Sequence, residues 1–298
     1  MGRAAQPGCP PEGAPLFVHA ADGNDGVVLP LAATGARARA WASWHTLAWA
    51  PVRRGNASRL LAPAAAALRG IGVAYLEPLE PDAARALAGA FIVAGWRAGD
   101  RPGKANWAAH VSGKSFARFW EERPSRLWNT VARKRKRAEL AFDVHRGFDP
   151  VAWTVYEHVY AKAGSPVKDR PVPVRARRSE GTAGTLRLGI ASRGNRPVAA
   201  ELWLAGNRIA TIYKLAHRED ERVHSPGSLL SAAVFEYVLT HDAPARISYG
   251  LGDQPYKADW MDERRELRAH LAQSAPPAGV ASLLKAGLRR LVKRGRGV

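Results

Sequence analysis

The sequence predicts a mixed α/β fold in which a meander of antiparallel strands is followed by a crossover helix and a further strand. Three β-rich runs, "TLRLGIASRG", "PVAAELWLAG" and "RIATIYKLAH", are separated by the turn dipeptides Asn-Arg and Gly-Asn. The helical pattern "SPGSLLSAAVFEYVLTHD" comes next, and "ARISYGLG" is again typical of a strand. This order of elements is typical of a mixed sheet that is flanked by helices.

Length and composition are those of a soluble globular protein. The chain has 298 residues, of which 46% are apolar and 24% charged, enough for one large domain or two of ordinary size. Cys9 is the only cysteine, which excludes a disulfide framework and a thiolate metal site. No secretory pattern opens the chain, and the longest apolar stretch, "LAGAFIVAGW", is about half the length that spans a bilayer. We therefore expect a cytoplasmic protein.

The net charge of +19 is the strongest compositional signal. A field this positive favours polyanionic partners such as nucleic acid, anionic lipid or a phosphate-bearing cofactor. The alternative is a general basicity that has no role in nucleic-acid binding, and composition alone does not separate the two.

The first part of the chain predicts a disordered leader, residues 1–15, and then a smaller α/β region, residues 16–140. Strands are predicted at "PLFVHA" and "VAYLEPL", and a helix at "EPDAARALAGAFIVAG". Residues 115–140 have the pattern of two helices that break near Pro124, whose ring cannot continue the first. One interpretation of this region is a degenerate second copy of the main domain, although no internal repeat is visible.

A run of five basic residues, "RKRKR", occupies residues 133–137 of the second of these helices. Five consecutive charges cover every face of a helix, so this end must project into solvent or contact anions. A solvated helix end and a nucleic-acid or phosphate contact both fit the pattern.

Residues 141–275 form the predicted main domain. A strand at "AFDVHRG" precedes a helix that Asp149 caps, with Pro150 in its first turn. The polar segment of residues 165–183 is rich in Pro and Arg and is expected to be a mobile loop. The meander follows, then the crossover helix with Ser225 as its expected cap, and then the last strands.

The last segment, residues 276–298, is predicted to be a basic amphipathic helix, because Leu284, Leu288 and Leu291 fall on one face with basic residues around them. Such a helix can lie on an anionic membrane as a peripheral contact. It can equally dock on its own protein, and both alternatives stay open.

The turn that opens the crossover helix has the features of an anion site. The first turn of a helix offers unpaired N–H groups and the positive end of the helix dipole. Ser225, Gly227 and Ser228 permit close backbone approach around Pro226, and Arg222 adds a cation. Because many strand-to-helix turns look alike, an ordinary helix start is the alternative.

The strands before this turn offer a backbone edge along which a linear acyl carrier can lie. Glu201, Tyr213 and Lys214 are polar residues in otherwise apolar strands. Alternation places Glu201, Trp203 and Ala205 on one face of the sheet. We therefore expect Glu201 to face either solvent or a cleft.

The segment "GDQPYKADWMDERREL", residues 252–267, is too mixed for a core strand and too aromatic for a solvent loop. Together with the serine-proline-glycine turn before it, this segment resembles the GNAT acyl-CoA N-acyltransferases. The branch is the cellulose-biosynthesis-type acetyltransferases, which are related to the Fem peptidyltransferases. The matching positions are Ser225, Pro226, Gly227, Gly252, Asp253, Tyr256, Lys257, Asp259, Trp260, Met261, Arg264 and Arg265.

The resemblance is strong over residues 180–270 and becomes weaker towards residue 120. The chain differs from the family in the strand before Gly252, which reads "ISYGLG" where the family often has an acidic residue. The resemblance implies a GNAT-like mixed sheet flanked by helices, in one copy or in two GNAT-like halves.

The resemblance also implies direct transfer of an acyl group from acetyl-CoA or another acyl-CoA to an amine, without a metal or a covalent enzyme intermediate. Lys257 would then neutralise charge in the transition state, and Tyr256 would pack beside it or donate a proton. Aromatic neighbours would desolvate the lysine while Asp253 or Asp259 keeps it charged. The structural alternative is that Lys257 only bridges these carboxylates and Trp260 fills the core.

The proton of the amine needs an acceptor, and Asp253, His224 and Glu201 are the candidates for this base. The expected acceptor substrate is a small-molecule amine or a polysaccharide or envelope precursor, such as one for an exopolysaccharide. The charge favours two further hypotheses: a Fem-like transferase that uses aminoacyl-tRNA, and a non-catalytic GNAT-fold module that binds nucleic acid or a membrane surface.

Overall fold

The computed structural model describes residues 12–42, 46–68, 70–163 and 183–274. The start of the predicted leader, nearly all of the predicted mobile loop and the predicted C-terminal helix lie outside the described residues. The chain divides into two compact units, one formed by Met1–Gly103 with Leu267–Val298, and the other by Lys104–Glu266.

The first unit is a meander followed by a parallel strand. Its elements are β1 (Ala14–Asp22), β2 (Asp25–Thr34), β3 (Arg37–Ala40), β4 (Val52–Arg54), α1 (Leu61–Ala66), β5 (Val73–Leu79) and α2 (Pro81–Val93). Strands β1, β2 and β3 pair antiparallel in this order, and β4 pairs with the other part of β2. Strand β5 runs parallel to β3, and a strand from the end of the chain, β12 (Glu263–Ser274), pairs antiparallel with β5.

The second unit repeats this order and extends it. It begins in β6 (Trp96–His110), and its further elements are α3 (Phe116–Glu121), α4 (Ser125–Ala138), β7 (Leu140–Arg146), α5 (Pro150–Ala161), β8 (Leu186–Arg193), β9 (Arg196–Gly206), β10 (Ile209–His217), α6 (Pro226–His241) and β11 (Arg246–Leu251). The strand order is β7-β8-β9-β10-β11-β6, antiparallel except for the parallel pair β10-β11.

The predicted mixed α/β fold and the order of its elements are confirmed. The two predicted helices around Pro124 are α3 and α4, and Asp149 caps α5 by accepting from the N–H groups of Val151 and Ala152. The compact units meet along the chain at residues 103 and 104, whereas we expected a boundary at residue 140. Helices α3 and α4 therefore pack with the main sheet.

Ser225 was predicted to cap the crossover helix, and its position was correct but the expected capping hydrogen bond is not formed. Ser225 does occupy the N-cap position of α6, but its hydroxyl makes no capping hydrogen bond. Its backbone is left-handed, with φ of 53° and ψ of 45°, a conformation that a non-glycine residue adopts only at a cost. The turn is instead held by the N–H of Ser225, which donates to the carbonyl oxygen of Arg222 at 3.0 Å.

Helices cover both faces of the second sheet. One face packs against α3, α4 and α6, with Phe119, Trp203 and Phe235 fully buried there. The other face packs against α5 through Trp153 and Leu188. Strand β9 is consequently buried on both sides from Val198 to Trp203, which simple alternation does not predict.

Glycine at position 189 lets α6 approach the sheet. Gly189 on β8 lies opposite Glu201 on β9. A Cβ atom at this position would lie 2.5 Å from Cγ2 of Val234, so any other residue would push the helix away. Among the described residues, no helix is long and apolar enough to cross a membrane.

Candidate functional site

The two parallel strands of the second unit separate soon after they meet. Strands β10 and β11 pair over three positions only, from Ile209 opposite Arg246 to Thr211 opposite Ser248. Beyond this point β10 continues along β9 to His217, and β11 continues along β6 to Leu251. Ligands in α/β sheets bind outside the carboxyl ends of parallel strands, and an opened strand pair also offers backbone groups to an extended ligand.

Lys257 lies at the end of β11. A 3₁₀ turn, Pro255–Asp259, carries it, and the residue is only 4% exposed. Its ammonium group donates to the carbonyl oxygens of Leu251 at 2.9 Å and Gly252 at 3.3 Å. Burial lowers the pKa of Lys257 to about 8, and the nearby charge of Asp253 opposes this shift. The group is therefore mostly protonated at neutral pH and close to its titration.

Lys257 forms an ion pair with neither of its expected partners, although the charge of Asp253 does favour its protonated form, as expected. Asp253 is bound by Arg264, with Nη2 at 2.6 Å from Oδ2, and it accepts from the indole N–H of Trp107 at 2.9 Å. Asp259 accepts from Nε of Arg126 at 2.7 Å. Neither carboxylate forms an ion pair with Lys257, so backbone carbonyls rather than carboxylates bind the ammonium group, and Asp253 acts on it only at a distance.

Asp253 is also a poor candidate for the base. The hydrogen bonds from Arg264 and Trp107 hold the pKa of its carboxyl below the usual value, which makes the carboxylate a weak proton acceptor. Its role in the structure is to fix the start of the 3₁₀ turn, while Arg126 fixes the end through Asp259.

The aromatic ring beside the ammonium group is that of Tyr249. Nζ of Lys257 lies 5.3 Å from the centroid of the Tyr249 ring, within the range of a cation–π contact. Trp260 instead packs in the core, stacked on Phe235 with ring centroids 4.9 Å apart. The structural alternative is thus correct for Trp260 and wrong for Lys257, which does not bridge the two carboxylates.

Tyr256 forms the exposed side of this cluster. It is 50% exposed, and its ring meets that of Tyr249 edge to face at 5.6 Å. Burial, together with the charge of Glu201, raises the pKa of Tyr256. Its phenol is neutral at neutral pH and can donate a hydrogen bond.

Glu201 lies in the core under α6, not at solvent or in an open cleft as expected. It is fully buried, and its Oε1 accepts from the hydroxyl of Ser231 at 3.1 Å. Burial raises the pKa of Glu201 to about 8. Its Oε2 atom makes no hydrogen bond of standard geometry within the described part of the chain, and the indole of Trp203 opposes the pKa shift only in part. The carboxyl group is therefore largely protonated at neutral pH.

Two residues of this cluster, Tyr249 and Ser231, were not identified from the sequence. Tyr249 stands in the predicted strand "ARISYGLG" as one apolar position among others, and Ser231 stands among the apolar residues of α6. The available signal was that each is a polar residue on a face predicted to be buried. Both are buried in the structure, where such groups require partners.

The turn before α6 supports part of the predicted anion site. A Cβ atom at Gly227 would lie 3.3 Å from Nδ1 of His217, so glycine allows the helix start to lie close to the end of β10. Helix α6 has sixteen residues, and in its first turn the N–H groups of Gly227 and Ser228 have no acceptor within a helix of standard geometry.

Arg222, the cation predicted for this turn, does not contact the start of α6 in the way expected. Arg222 is 77% exposed at its side chain and pairs with Glu219 at 3.3 Å. The cation that contacts the turn is Lys134, whose Nζ donates to the carbonyl oxygen of Val223 at 2.5 Å. The basic run of α4 and the start of α6, considered separately in the sequence, are therefore brought together.

A buried carboxylate holds this turn in place. Glu221 is 6% exposed and is paired with Arg193 at 3.0 Å and Arg196 at 3.2 Å, both from the β8-β9 hairpin. Glu221 belongs to a 3₁₀ turn, Glu219–His224, and the half-buried His224 ends this turn just before Ser225. The structure thus places Lys257, Tyr256 and Glu201 around Tyr249, and places His224 with the helix start.

Comparison with known families and structures identifies the type of fold. A family model described as an acetyltransferase (GNAT) domain matches residues 125–258, which include the α6 turn, Tyr256 and Lys257. No curated protein matches the sequence.

Solved structures match over most of the chain. The C-terminal DUF2156 domain assigned to a lysylphosphatidylglycerol synthetase from Agrobacterium fabrum has 14% identity and a TM-score of 0.61, covering 93% of this chain and 89% of that one. The L-PGS structure from Bacillus licheniformis has 11% identity and a TM-score of 0.58, covering 94% and 89%. FemX has 10% identity and a TM-score of 0.59, covering 86% and 88%. At identities this low the structural similarity shows the fold alone, a GNAT-like mixed sheet consistent with two GNAT-like halves.

Proposed function

We propose that this protein transfers an acyl group from an acyl-CoA thioester to an amine by direct attack. The observation that carries the proposal is the Lys257 ammonium group, buried at the end of β11 where this strand separates from β10. A buried, preorganised cation at the edge of an opened sheet is suited to stabilise negative charge on a carbonyl oxygen.

The hydrogen bonding of Lys257 leaves room for a substrate. An ammonium group has three N–H donors, and the described residues use two of them, on Leu251 and Gly252. The third is available to the carbonyl oxygen of a donor that lies between the separated strands. As the amine attacks the carbonyl carbon, the C–N bond forms, the C–S bond breaks and the developing oxyanion receives this donor.

Two further groups fit the same reaction. The start of α6, with Gly227 against the end of β10, is a ready site for the phosphate groups of CoA. Tyr256 remains a neutral phenol at the exposed side of the cluster and can return a proton to the departing thiolate.

For the acceptor we propose an amine of a small molecule or of a polysaccharide or envelope precursor. This choice follows from the resemblance of the segment around Lys257 to the cellulose-biosynthesis-type acetyltransferases. The cluster itself carries no feature that selects one amine from another, so the acceptor class has to be identified with a panel of amino sugars and other amines.

The proposal is tested by calorimetric titration with acetyl-CoA and longer acyl-CoAs, followed by an assay of CoA release in the presence of amines. We expect binding of at least one acyl-CoA, amine-dependent release of CoA, and loss of the release in Lys257→Met. Lys162→Met, at the exposed end of α5, is the matched control. Folded wild-type protein that binds no acyl-CoA would exclude this donor.

A second candidate donor is aminoacyl-tRNA, favoured by the surface beside the start of α6. Helix α4 carries the basic run of residues 133–137 and no acidic residue, and Lys134 contacts the turn before α6. If tRNA is the donor, its affinity falls steeply with salt and CoA does not compete. Reversal of charge at Arg133, Arg135 and Arg137 then abolishes tRNA binding, whereas it leaves the binding of acyl-CoA within a few fold.

A further inference from the structure

A chain of buried polar groups leads from the Lys257 cluster into the core of the second unit. Tyr249 on β11 lies under the ammonium group of Lys257, and Ser231 on α6 interacts with Tyr249. Ser231 in turn donates to Oε1 of Glu201 on β9 at 3.1 Å. All three residues are at most 5% exposed.

This arrangement is not explained by packing alone. A fully buried carboxyl group costs free energy unless its oxygens are hydrogen-bonded. One oxygen of Glu201 makes no hydrogen bond of standard geometry with the described residues, and only the indole of Trp203 adds a weak stabilising interaction with the carboxylate. No ion pair within the described residues involves Glu201. The titratable groups that interact with it are Tyr249 and Tyr256, both on the path to the surface.

We propose that Glu201 accepts, through Ser231 and Tyr249, the proton that the amine loses during acyl transfer. This inference rests on the proposed function and assigns the proton acceptor within it. The amine gives its proton to the phenol oxygen of Tyr249, the Tyr249 proton passes to Ser231, and the Ser231 proton passes to the carboxylate of Glu201. The relay ends with neutral Tyr249, neutral Ser231 and protonated Glu201, and the proton leaves by the reverse path.

The properties of the three groups assign their order in the relay. Burial raises the pKa of Tyr249 well above its usual value, so Tyr249 passes a proton on and does not hold the negative charge. Glu201, with a pKa of about 8, is the group that changes its charge near neutral pH. A serine hydroxyl donates and accepts at once, which suits Ser231 to stand between them.

The test is the pH profile of kcat/KM for amine acylation. In the wild type, ionisation of Glu201 gives the rising limb and deprotonation of Lys257 the falling limb, so the rate has its maximum near pH 8. In Glu201→Gln we expect a loss of about 100-fold and no rising limb, with donor affinity unchanged. Ser231→Ala and Tyr249→Phe keep the carboxyl group and should each lower the rate by about tenfold.

Glu236→Gln, at an exposed position of α6, is the matched control and should keep the wild-type profile. The relay is overturned if Glu201→Gln retains the wild-type rate and the rising limb of the pH profile. If Glu201→Gln does not fold, the relay is overturned when Ser231→Ala and Tyr249→Phe both retain them. Wild-type protein that binds and turns over neither acyl-CoA nor aminoacyl-tRNA overturns the proposed function together with the relay. If the wild type is active, the proposed function stands, and the rates of the variants then test the relay alone.

Discussion

The two compact units follow the same path of strands and helices but end it differently. In the first unit the path is β1-β2-β3-α1-β5, with the short strand β4 inserted between β3 and α1, and in the second it is β8-β9-β10-α6-β11. In both, the third and fourth strands are parallel over three residue pairs. The crossover helix has 6 residues in the first unit and 16 in the second, and the last strand leads into α2 in the first but into the turn of Lys257 in the second.

The difference shows where chemistry can be placed on this fold. The sheet and its crossover are common to both units, so they are not sufficient for a site. The second unit differs by a longer helix that begins at a glycine turn, and by a short turn that buries a lysine. We therefore propose that the oxyanion donor and the donor-binding turn lie in the segments after the parallel strands, whereas the proposed relay takes Tyr249 and Glu201 from the strands themselves.

Among the variants that test the difference between the two units, Lys257→Met is expected to lower the rate most. Removal of the buried ammonium group should lower kcat by about 100- to 1,000-fold, the range found for loss of an oxyanion donor. The corresponding strand of the first unit offers a control, Tyr75 on β5, whose hydroxyl donates to Glu77 at 2.8 Å. Tyr75→Phe should leave kcat unchanged, and a comparable loss there would contradict the assignment of the site to the second unit.

The next effect concerns stability and pH. The pKa of Glu201 is raised by folding from 4.5 to about 8, so the folded state holds a proton that the unfolded state releases. The stabilisation is complete below pH 4.5 and is lost as the pH rises through 8, at about 1.4 kcal/mol per pH unit between these limits. Between pH 5.5 and 7, wild type should lose about 2 kcal/mol relative to Glu201→Gln, measured by urea unfolding.

A smaller effect is expected at the start of α6. In Gly227→Ala the added methyl group lies 3.3 Å from Nδ1 of His217, so the start of α6 has to move away from the end of β10 and the proposed phosphate site is displaced. We expect the affinity for acyl-CoA to fall about tenfold, equivalent to about 1.4 kcal/mol, with kcat at saturating donor nearly unchanged. Calorimetric titration of wild type and variant measures this, and equal affinities would remove the α6 turn from the donor site.

The smallest effect belongs to the first unit and again concerns pH. His270 on β12 is fully buried beside Phe91, and neither ring nitrogen has a hydrogen-bond partner among the described residues. Burial lowers the pKa of His270, so the unfolded state binds a proton more readily and stability falls as the pH falls below 6.5. His270→Leu should reduce this loss in urea titrations between pH 5 and 7, without changing acyl transfer.

The secondary structure was largely predictable because it depends on local rules. Strands and helices follow the spacing of apolar residues, and Asp149 and Pro124 mark a helix start and a helix break through their own backbone chemistry. The position of Lys257 as a candidate was also visible, since a motif of fixed spacing carries it.

The partners within the site were not predictable, because they come from distant parts of the chain. Asp259 is neutralised by Arg126, 133 residues earlier, and Asp253 is engaged by Trp107, 146 residues earlier. Glu201 was expected at a surface because alternation assumes that one face of a strand is open, whereas helices cover both faces of β9. Tertiary contacts determine the partners and the burial of these residues, and the local sequence pattern does not contain that information.

The pairing of β5 with β12 has a consequence for biosynthesis. The parallel strand of the first unit, β5, is bordered by β12, whose residues 268–273 are translated nearly two hundred positions later. An emerging nascent chain therefore cannot close its first sheet until almost the whole polypeptide has left the ribosome, and pairing over such sequence separation is slow. Expression of residues 1–103 alone would leave β5 with an uncovered border prone to aggregation, whereas co-expression with a peptide spanning β12 should rescue its solubility.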